Sequence, residues 1–177
     1  MRGCISILRG VIKIGIISDT HEMVHPRVFE VFEGVDQIWH AGDIGGENVI
    51  TELAAIAPVI AVHGNSDSFP VVSRYKAEVI IPVRTLKFLL IHKFLSHKLD
   101  RFCRTNWEED SAYDAIIFGH THQPIIHHAN DVLYFNPGSS QFPRFHHPQT
   151  VGLLRIHDDN TLHPKIISLS NTEKVNK

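Results

Sequence analysis

The chain has 177 residues, of which 43% are hydrophobic, and its 17 Lys and Arg against 19 Asp and Glu give a formal net charge of −2 at pH 7. This length and apolar content suit a single domain with a continuous core. The charge balance lacks the basic excess of proteins that bind long nucleic acids, so we do not expect a nuclease acting on long DNA. Apolar stretches such as 54–62, which contains a proline, are far shorter than the roughly 20 residues of a membrane span, so no membrane partner is expected.

The two ends of the chain differ from the rest. Residues 1–11 precede the first predicted strand and lack the apolar centre and cleavage site of a signal peptide, so we expect an N-terminal extension or a mis-set start. A single domain is expected over 12–170, followed by a frayed polar tail over 171–177. Cys4 and Cys103 are too few for a disulfide framework, which favours a reducing, cytoplasmic location.

The predicted elements change in character along the chain. In the first half, strands at 12–17, 37–39 and 58–62 alternate with helices at 26–32 and 46–56. In the second half the pattern favours strands, at 79–83, 86–91, 114–118, 125–128, 132–135, 151–156 and 162–169. A helical first half and a hairpin-rich second half predict two sheets packed face to face with helices outside.

Residues 93–110 interrupt the run of strands. Their apolar side chains alternate with basic ones, which predicts a short amphipathic helix that covers the sheet. The alternative is a lid that contacts substrate or forms an oligomer, so a homo-oligomer stays open.

Five polar blocks come directly after predicted strands. They are Asp19-Thr20-His21, Gly42-Asp43, Gly64-Asn65-Ser66-Asp67, His92 and Gly119-His120-Thr121-His122. Ligands of open α/β sheets bind beyond the carboxyl ends of the strands, where these blocks lie. The blocks supply two carboxylates, one amide oxygen and four imidazoles, a mixed shell that manganese, iron or zinc accepts. Each block alone is typical of a turn or a surface histidine, but the five together predict a two-metal site, with the glycines serving sharp turns behind the ligands.

The order of these blocks, D-x-H, G-D, G-N-x-D, H and G-H-x-H, resembles the calcineurin-like metallophosphoesterases over 19–122. Asn136-Pro137-Gly138-Ser139, followed by Pro143-Arg144, resembles the small single-domain phosphodiesterase branch of that superfamily. The resemblance implies an α/β fold, a four-layer αββα sandwich of two mixed sheets flanked by helices. It also implies a metal-dependent phosphodiesterase that hydrolyses a small soluble phosphate ester by attack of a metal-bridging hydroxide.

Carried over residue by residue, the resemblance implies two divalent metal ions, with Mn²⁺ preferred and Zn²⁺, Fe²⁺ or Ni²⁺ as alternatives. The ligands implied for the first ion are Asp19, His21, Asp43 and His122. Those implied for the second ion are Asp43, Asn65, His92 and His120. These seven residues are also the implied catalytic set, and Asp43 would bridge the ions. Arg144 is implied as a substrate contact, with an ordinary surface arginine as the alternative.

Two positions depart from the family pattern. Lys93 follows His92 where the family usually has Gly, which leaves the backbone at His92 open. Ser66 stands where many members carry a His that can donate a proton to the departing oxygen, and His63 or His21 is the alternative acid. His40 and His63 lie within or beside the blocks and are expected to orient ligands or to pack.

A different class of function also uses this fold. A catalytically silent relative serves as a protein-binding scaffold in the retromer sorting coat. That relative is degraded at the second and third blocks, whereas Asp43 and Asn65 are both present in this chain. The intact blocks favour the enzyme, while the physiological substrate is not visible from the sequence.

Overall fold

The computed structural model describes residues 10–94 and 112–170. The described residues form ten strands and three short helices. The helices are α1 (Arg27–Val31), α2 (Glu47–Ala54) and α3 (Val71–Arg74). The strands are β1 (Ile12–Ile17), β2 (Gln37–Ala41), β3 (Val59–Val62), β4 (Glu78–Val83), β5 (Leu86–Ile91), β6 (Ala115–Ile117), β7 (Pro124–Ala129), β8 (Val132–Pro137), β9 (Thr150–Ile156) and β10 (Leu162–Ser168). Most of the predicted N-terminal extension (1–11), most of the predicted helix at 93–110 and all of the predicted tail (171–177) lie outside the described residues.

The first sheet has the strand order β10-β9-β1-β2-β3. β1, β2 and β3 run parallel, while β9 is antiparallel to both β1 and β10. β1 is almost continuously apolar because it is covered on both faces. The parallel strands therefore bring the residues that follow β1, β2 and β3 to one edge of the sheet.

The second sheet has the order β4-β5-β6-β8-β7 and is also mixed. β5, β6 and β8 are parallel, and antiparallel β4 and β7 form its two edges. The β7–β8 hairpin turns through Asn130 and Asp131, which both have positive φ, as a tight primed turn requires. His92 follows β5, and the Gly119 block follows β6.

The main core lies between the two sheets. Trp39 of the first sheet and Phe88 of the second are fully buried, and their ring centroids are 5.0 Å apart. A second cluster on the outer face of the first sheet includes Phe32 and Leu53 and holds the three helices. The two mixed sheets, with the three helices on the outer face of the first, confirm the predicted α/β sandwich. None of the helices in the described ranges is long and apolar enough to cross a membrane.

Some boundaries differ from the prediction. β2 continues through His40 and Ala41, and β8 continues through Asn136 and Pro137, where the sequence indicated a loop. β8 is extended there because Ile125 and Pro124 of the neighbouring strand pair with these two residues. The short helix α3 was not predicted, because a single turn leaves no helical periodicity to detect.

Candidate metal centre

The five blocks meet where the carboxyl ends of both sheets come together. Ligand atoms of four of the predicted residues all lie within 4.8 Å of one another, namely Asp19, His21, Asp43 and His122. Backbone hydrogen bonds join the blocks: the amide of Asp19 donates to Gly42 O at 3.0 Å, and that of His21 donates to Asp43 O at 3.1 Å. The edge predicted from the strand ends is therefore one assembled site.

The carboxylate of Asp43 lies between two histidines. Its Oδ2 is 3.9 Å from Nε2 of His21, and its Oδ1 is 3.2 Å from Nε2 of His92. The ring of His120 contacts that of His92, with ring centroids 5.3 Å apart. One carboxylate thus faces the two halves of the predicted ligand set, as a bridging ligand must.

Backbone carbonyl groups fix which ring nitrogen carries the proton in two of the histidines. Nδ1 of His92 donates to Ala41 O at 2.8 Å, and Nδ1 of His122 donates to Phe142 O. Because each Nδ1 carries the proton in a neutral ring, each Nε2 presents a lone pair towards a carboxylate. Such outer contacts orient metal-ligating histidines.

The centre contains buried polar atoms that lack a hydrogen bond. Among the described residues, Asp19 Oδ1, His21 Nε2 and His92 Nε2 are buried without a hydrogen-bond partner. Leaving such atoms unsatisfied is costly, and lone pairs aimed at a carboxylate repel it. Divalent cations would satisfy these atoms, those of Asp19 and His21 at the first predicted ion and that of His92 at the second, so these residues fit the metals that the resemblance implies.

The electrostatics of the centre agree with this fit. Burial lowers the pKa of His92, but the carboxylates of Asp43 and Asp19 outweigh burial and raise it above its ordinary value. The same balance, with Asp19 as the main partner, raises the pKa of His122. Burial raises the pKa of Asp43, but its contacts with His92 and Ser66 outweigh burial and hold the pKa far below its usual range. Asp43 is therefore a carboxylate at neutral pH.

The remaining predicted residues lie around this centre. Asn65 is exposed and lines a cavity of about 240 Å³ together with His92, Lys93 and His63. Arg144 is exposed. Burial lowers the pKa of His122 and Asp19 raises it, while the positive charge of Arg144 acts in the same direction as burial and lowers it. The four central residues are therefore brought into direct proximity, while Asn65 and Arg144 lie at the rim.

The backbone at the centre is in an unusual conformation. Five of the seven predicted ligands have left-handed φ angles: Asp19 (54°), His21 (42°), Asp43 (52°), His120 (68°) and His122 (59°). Residues other than glycine rarely adopt this conformation, which costs on the order of 1–3 kcal/mol at each position. Surrounding contacts must hold the loops in place.

Asp67 provides one of these contacts. Its Oδ1 accepts from the amide of Gly45, and its Oδ2 accepts from the amide of Gly64, both at 2.7 Å. The last residue of the third block therefore ties that block to the loop after Asp43.

The Asn136 block braces the other side of the centre. Asn136 Nδ2 donates to Gly119 O at 2.8 Å, and Ser139 Oγ donates to Asp19 O at 3.1 Å. This block therefore joins the first and last metal-binding blocks through the carbonyls of their loops. Its presence was visible in the sequence, but this bracing role was not.

His40 joins the loop that contains Thr20 to the loop that contains Gly42. Its Nδ1 accepts from the amide of Gly42 at 3.2 Å, so its Nε2 carries the proton and donates to Thr20 Oγ1 at 2.9 Å. Thr20 in turn donates to Ile44 O at 2.9 Å. Burial is the largest effect on the pKa of His40 and lowers it to about 4, despite nearby carboxylates.

The low pKa of His40 predicts a pH-dependent contribution to stability. Above pH 6.5 His40 is neutral in both the folded and unfolded states; below 6.5 only the unfolded state takes up the proton, so stability falls until about pH 4. Between pH 7 and 5, we expect metal-free wild-type protein to lose about 2 kcal/mol relative to His40→Gln. Denaturant unfolding in EDTA at both pH values measures this difference. His128→Gln, an exposed control, should follow the wild type, and a parallel loss in His40→Gln would contradict the prediction.

The glycines of the blocks serve two different purposes. Gly42 has a φ of 88°, the turn conformation that the sequence predicted. Gly64 and Gly119 do not have left-handed φ; instead, a Cβ at Gly64 would overlap Oδ1 and the backbone nitrogen of Asp43, and one at Gly119 would overlap Ser18 Oγ. These two glycines are therefore positions where a Cβ is excluded, as the sequence predicted, and the physical reason is the close approach of another loop.

We expect Gly64→Ala to displace Asp43 and weaken Mn²⁺ binding by about 10- to 100-fold, the range found when groups that orient a ligand are lost. Gly34→Ala is the control, because Gly34 has a φ of 71° but nothing within 4 Å of the added Cβ. The control should lose about 1–2 kcal/mol of stability while it binds Mn²⁺ normally. Titration calorimetry measures both affinities, and equal affinities would show that Gly64 does not limit the position of Asp43.

Comparisons with known proteins address the family directly. A model of the calcineurin-like phosphoesterase superfamily domain matches residues 12–159. A probable metallophosphoesterase of Methanothermobacter thermautotrophicus is 35% identical over 159 residues, which cover 87% of this chain and 91% of that protein.

Solved structures agree with this relationship. An archaeal phosphodiesterase has a TM-score of 0.68 and 26% identity, with 88% of this chain and all of that chain covered. Vps29 of Entamoeba histolytica in complex with Zn²⁺ has a TM-score of 0.67 and covers 90% of this chain and all of its own, but at 18% identity it shows the fold alone. The chain belongs to the calcineurin-like phosphoesterase superfamily and is a metal-dependent phosphoesterase.

Proposed function

We propose that the chain is a two-metal phosphodiesterase that hydrolyses a small soluble phosphate diester. The observation that carries this proposal is the position of the Asp43 carboxylate, with one oxygen towards His21 and the other towards His92. A single metal ion would need only one of these two carboxylate oxygens together with the histidine near it. The family relationship supplies the phosphoester class of substrate.

In this proposal the first ion is held by Asp19, His21, Asp43 and His122. The second is held by Asp43, Asn65, His92 and His120. Support is most direct for the first set, whose ligand atoms cluster within 4.8 Å, and for the contact of Asp43 with His92. The mixed oxygen and nitrogen shell without a thiolate accepts Mn²⁺, Fe²⁺ or Zn²⁺, and the resemblance makes Mn²⁺ the preferred ion. When bound, the two ions would supply Lewis acidity that activates water and polarises the phosphoryl group.

The chain's own residues bring an anionic substrate to this centre. Two divalent ions with two aspartates leave a local excess of two positive charges, which favours a phosphate. Two cations lie close enough to lower the pKa of a ligand histidine: Arg144 acts on His122 and Lys93 acts on His120. The pKa of His120 is lowered most by burial and next by the charges of His92 and Lys93. We assign Arg144 to the substrate phosphate on this basis.

A protein-binding scaffold is the second candidate, because Vps29 shares the fold. At 18% identity, the similarity to Vps29 shows the fold and carries no argument about activity. Asp43 and Asn65, the ligands proposed for the second and third blocks, are both present in the sequence, and their presence favours hydrolysis.

The bridging role predicts a large effect of Asp43→Asn. Asp131→Asn is a matched control, because both aspartates have left-handed φ, which Asn tolerates. We expect two Mn²⁺ per chain in the wild type and in the control, and fewer than one in Asp43→Asn. Hydrolysis of bis(4-nitrophenyl) phosphate should fall by roughly 100-fold or more in Asp43→Asn, as when a preorganised charge-stabilising group is removed.

Metal analysis after equilibrium dialysis and steady-state rates test this prediction together. If Asp43→Asn keeps two ions and the wild-type rate, Asp43 does not bridge.

Ser66 predicts a steep dependence of rate on the leaving group. Its backbone amide donates to Asp43 Oδ1 at 3.0 Å, so this position lies beside the centre, yet a serine hydroxyl does not titrate near neutrality. Without a proton donor there, poor leaving groups should react slowly, and nitrophenyl diesters should be cleaved far faster than alkyl diesters.

The matching variant is Ser66→His, which should raise the rate for alkyl diesters by up to about 10²- to 10⁴-fold, the usual contribution of a general acid. Ser68→His places an imidazole two residues further along the same exposed loop and should change nothing. The measurement is the turnover rate across aryl diesters of graded acidity. A nearly flat plot in the wild type, with chemistry rate-limiting, would mean that another group, such as His63, already donates the proton.

A further inference from the structure

Phe142 lies at the rim of the metal centre with much of its ring in solvent. The residue is 55% exposed, although its ring centroid is only 5.4 Å from that of His21, in an edge-on arrangement.

The position of Phe142 is fixed by the centre itself. Its amide donates to Ser139 Oγ at 2.8 Å, and its carbonyl accepts from Nδ1 of His122. Ser139 also holds the Asp19 loop. The exposed ring is therefore held at a defined place relative to the predicted ligands, and a rigid aromatic surface binds a flat group at little cost in entropy.

A second surface lies beside His92, the other histidine whose Nε2 is close to the Asp43 carboxylate. The contacts run from Phe142 to His21, from His21 to Asp43, and from Asp43 to His92, which lines the cavity of about 240 Å³. Ile91 and Ala77 give that cavity apolar walls. A phosphate diester carries two organic groups, and this centre has one surface for each of them.

We propose that Phe142 is a specificity-determining residue that stacks on the nucleobase of a nucleoside phosphodiester. Any of the nucleobases can stack on an aromatic side chain, because every base has a flat face. Arg144, two residues further on and exposed, provides a cation in the same loop for the phosphate. This inference rests on the proposed phosphodiesterase activity and names its substrate class.

The test compares two product-like ligands that differ only in the base. Adenosine 5′-monophosphate and ribose 5-phosphate are titrated into the Mn²⁺-loaded protein by calorimetry. The wild type should bind the nucleotide roughly 5- to 100-fold more tightly, which corresponds to the usual contribution of one stacked base. Phe142→Leu keeps an apolar side chain against His21 but removes the ring, so it should abolish this preference, and Phe142→Tyr should restore it.

Two further measurements separate stacking from a merely structural role. Mn²⁺ content should be the same in all three proteins, because the hydrogen bonds that hold His122 and Ser139 use the backbone of Phe142. Saturation-transfer NMR should show the adenine protons as the closest part of the ligand in the wild type and in Phe142→Tyr, but not in Phe142→Leu. Phe29→Leu, at an exposed position on α1, is the control and should bind like the wild type.

The outcomes are distinguishable. Equal affinity of the wild type for the two ligands, or a preference that survives in Phe142→Leu, overturns the inference even if diesters are hydrolysed. A base preference that depends on Phe142, in a protein that hydrolyses no diester, supports the binding role and overturns the proposed function instead.

Discussion

The constraint on which the rest of this structure depends is the Asp43 carboxylate held between His21 and His92. Two buried carboxylates and the lone pairs of several imidazoles converge on one small volume, where they repel one another. No apolar packing can relieve that repulsion; only cations can. The two sheets are arranged so that the carboxyl ends of their parallel strands meet at this volume, and the core between them keeps it in place.

The loops at this meeting point are strained, and their hydrogen bonds explain why the strain persists. Residues such as Asp19 and His122 adopt left-handed backbone conformations that glycine would adopt at no steric cost. Asp67, Asn136 and Ser139 each bond the backbone of a loop other than their own. Each loop is therefore defined by its neighbours, so the loss of one contact is expected to disturb several ligands at once.

Sequence reasoning found the strand β5 with its exact bounds and the blocks that follow the strands, because apolar periodicity and strand ends are local properties. It did not find the roles of the bracing residues. Asn136 and Gly119 are 17 residues apart, and Ser139 and Asp19 are 120 apart, so nothing local links them. The same limit explains Gly64: an approach by Asp43 from another loop leaves no mark on the residues around the glycine.

Protons and metal ions compete for the same atoms in this centre. Because Nδ1 of both His92 and His122 is bonded to a carbonyl, Nε2 is the only basic nitrogen left on each ring. Burial lowers the pKa of each ring, but the adjacent carboxylates outweigh it, so the metal-free centre keeps its protons to a higher pH than a free histidine. Protons on these two rings would offset the charge of the two aspartates in the metal-free protein. Metal binding must displace these protons, so affinity for the metal rises as the pH rises through the raised pKa values.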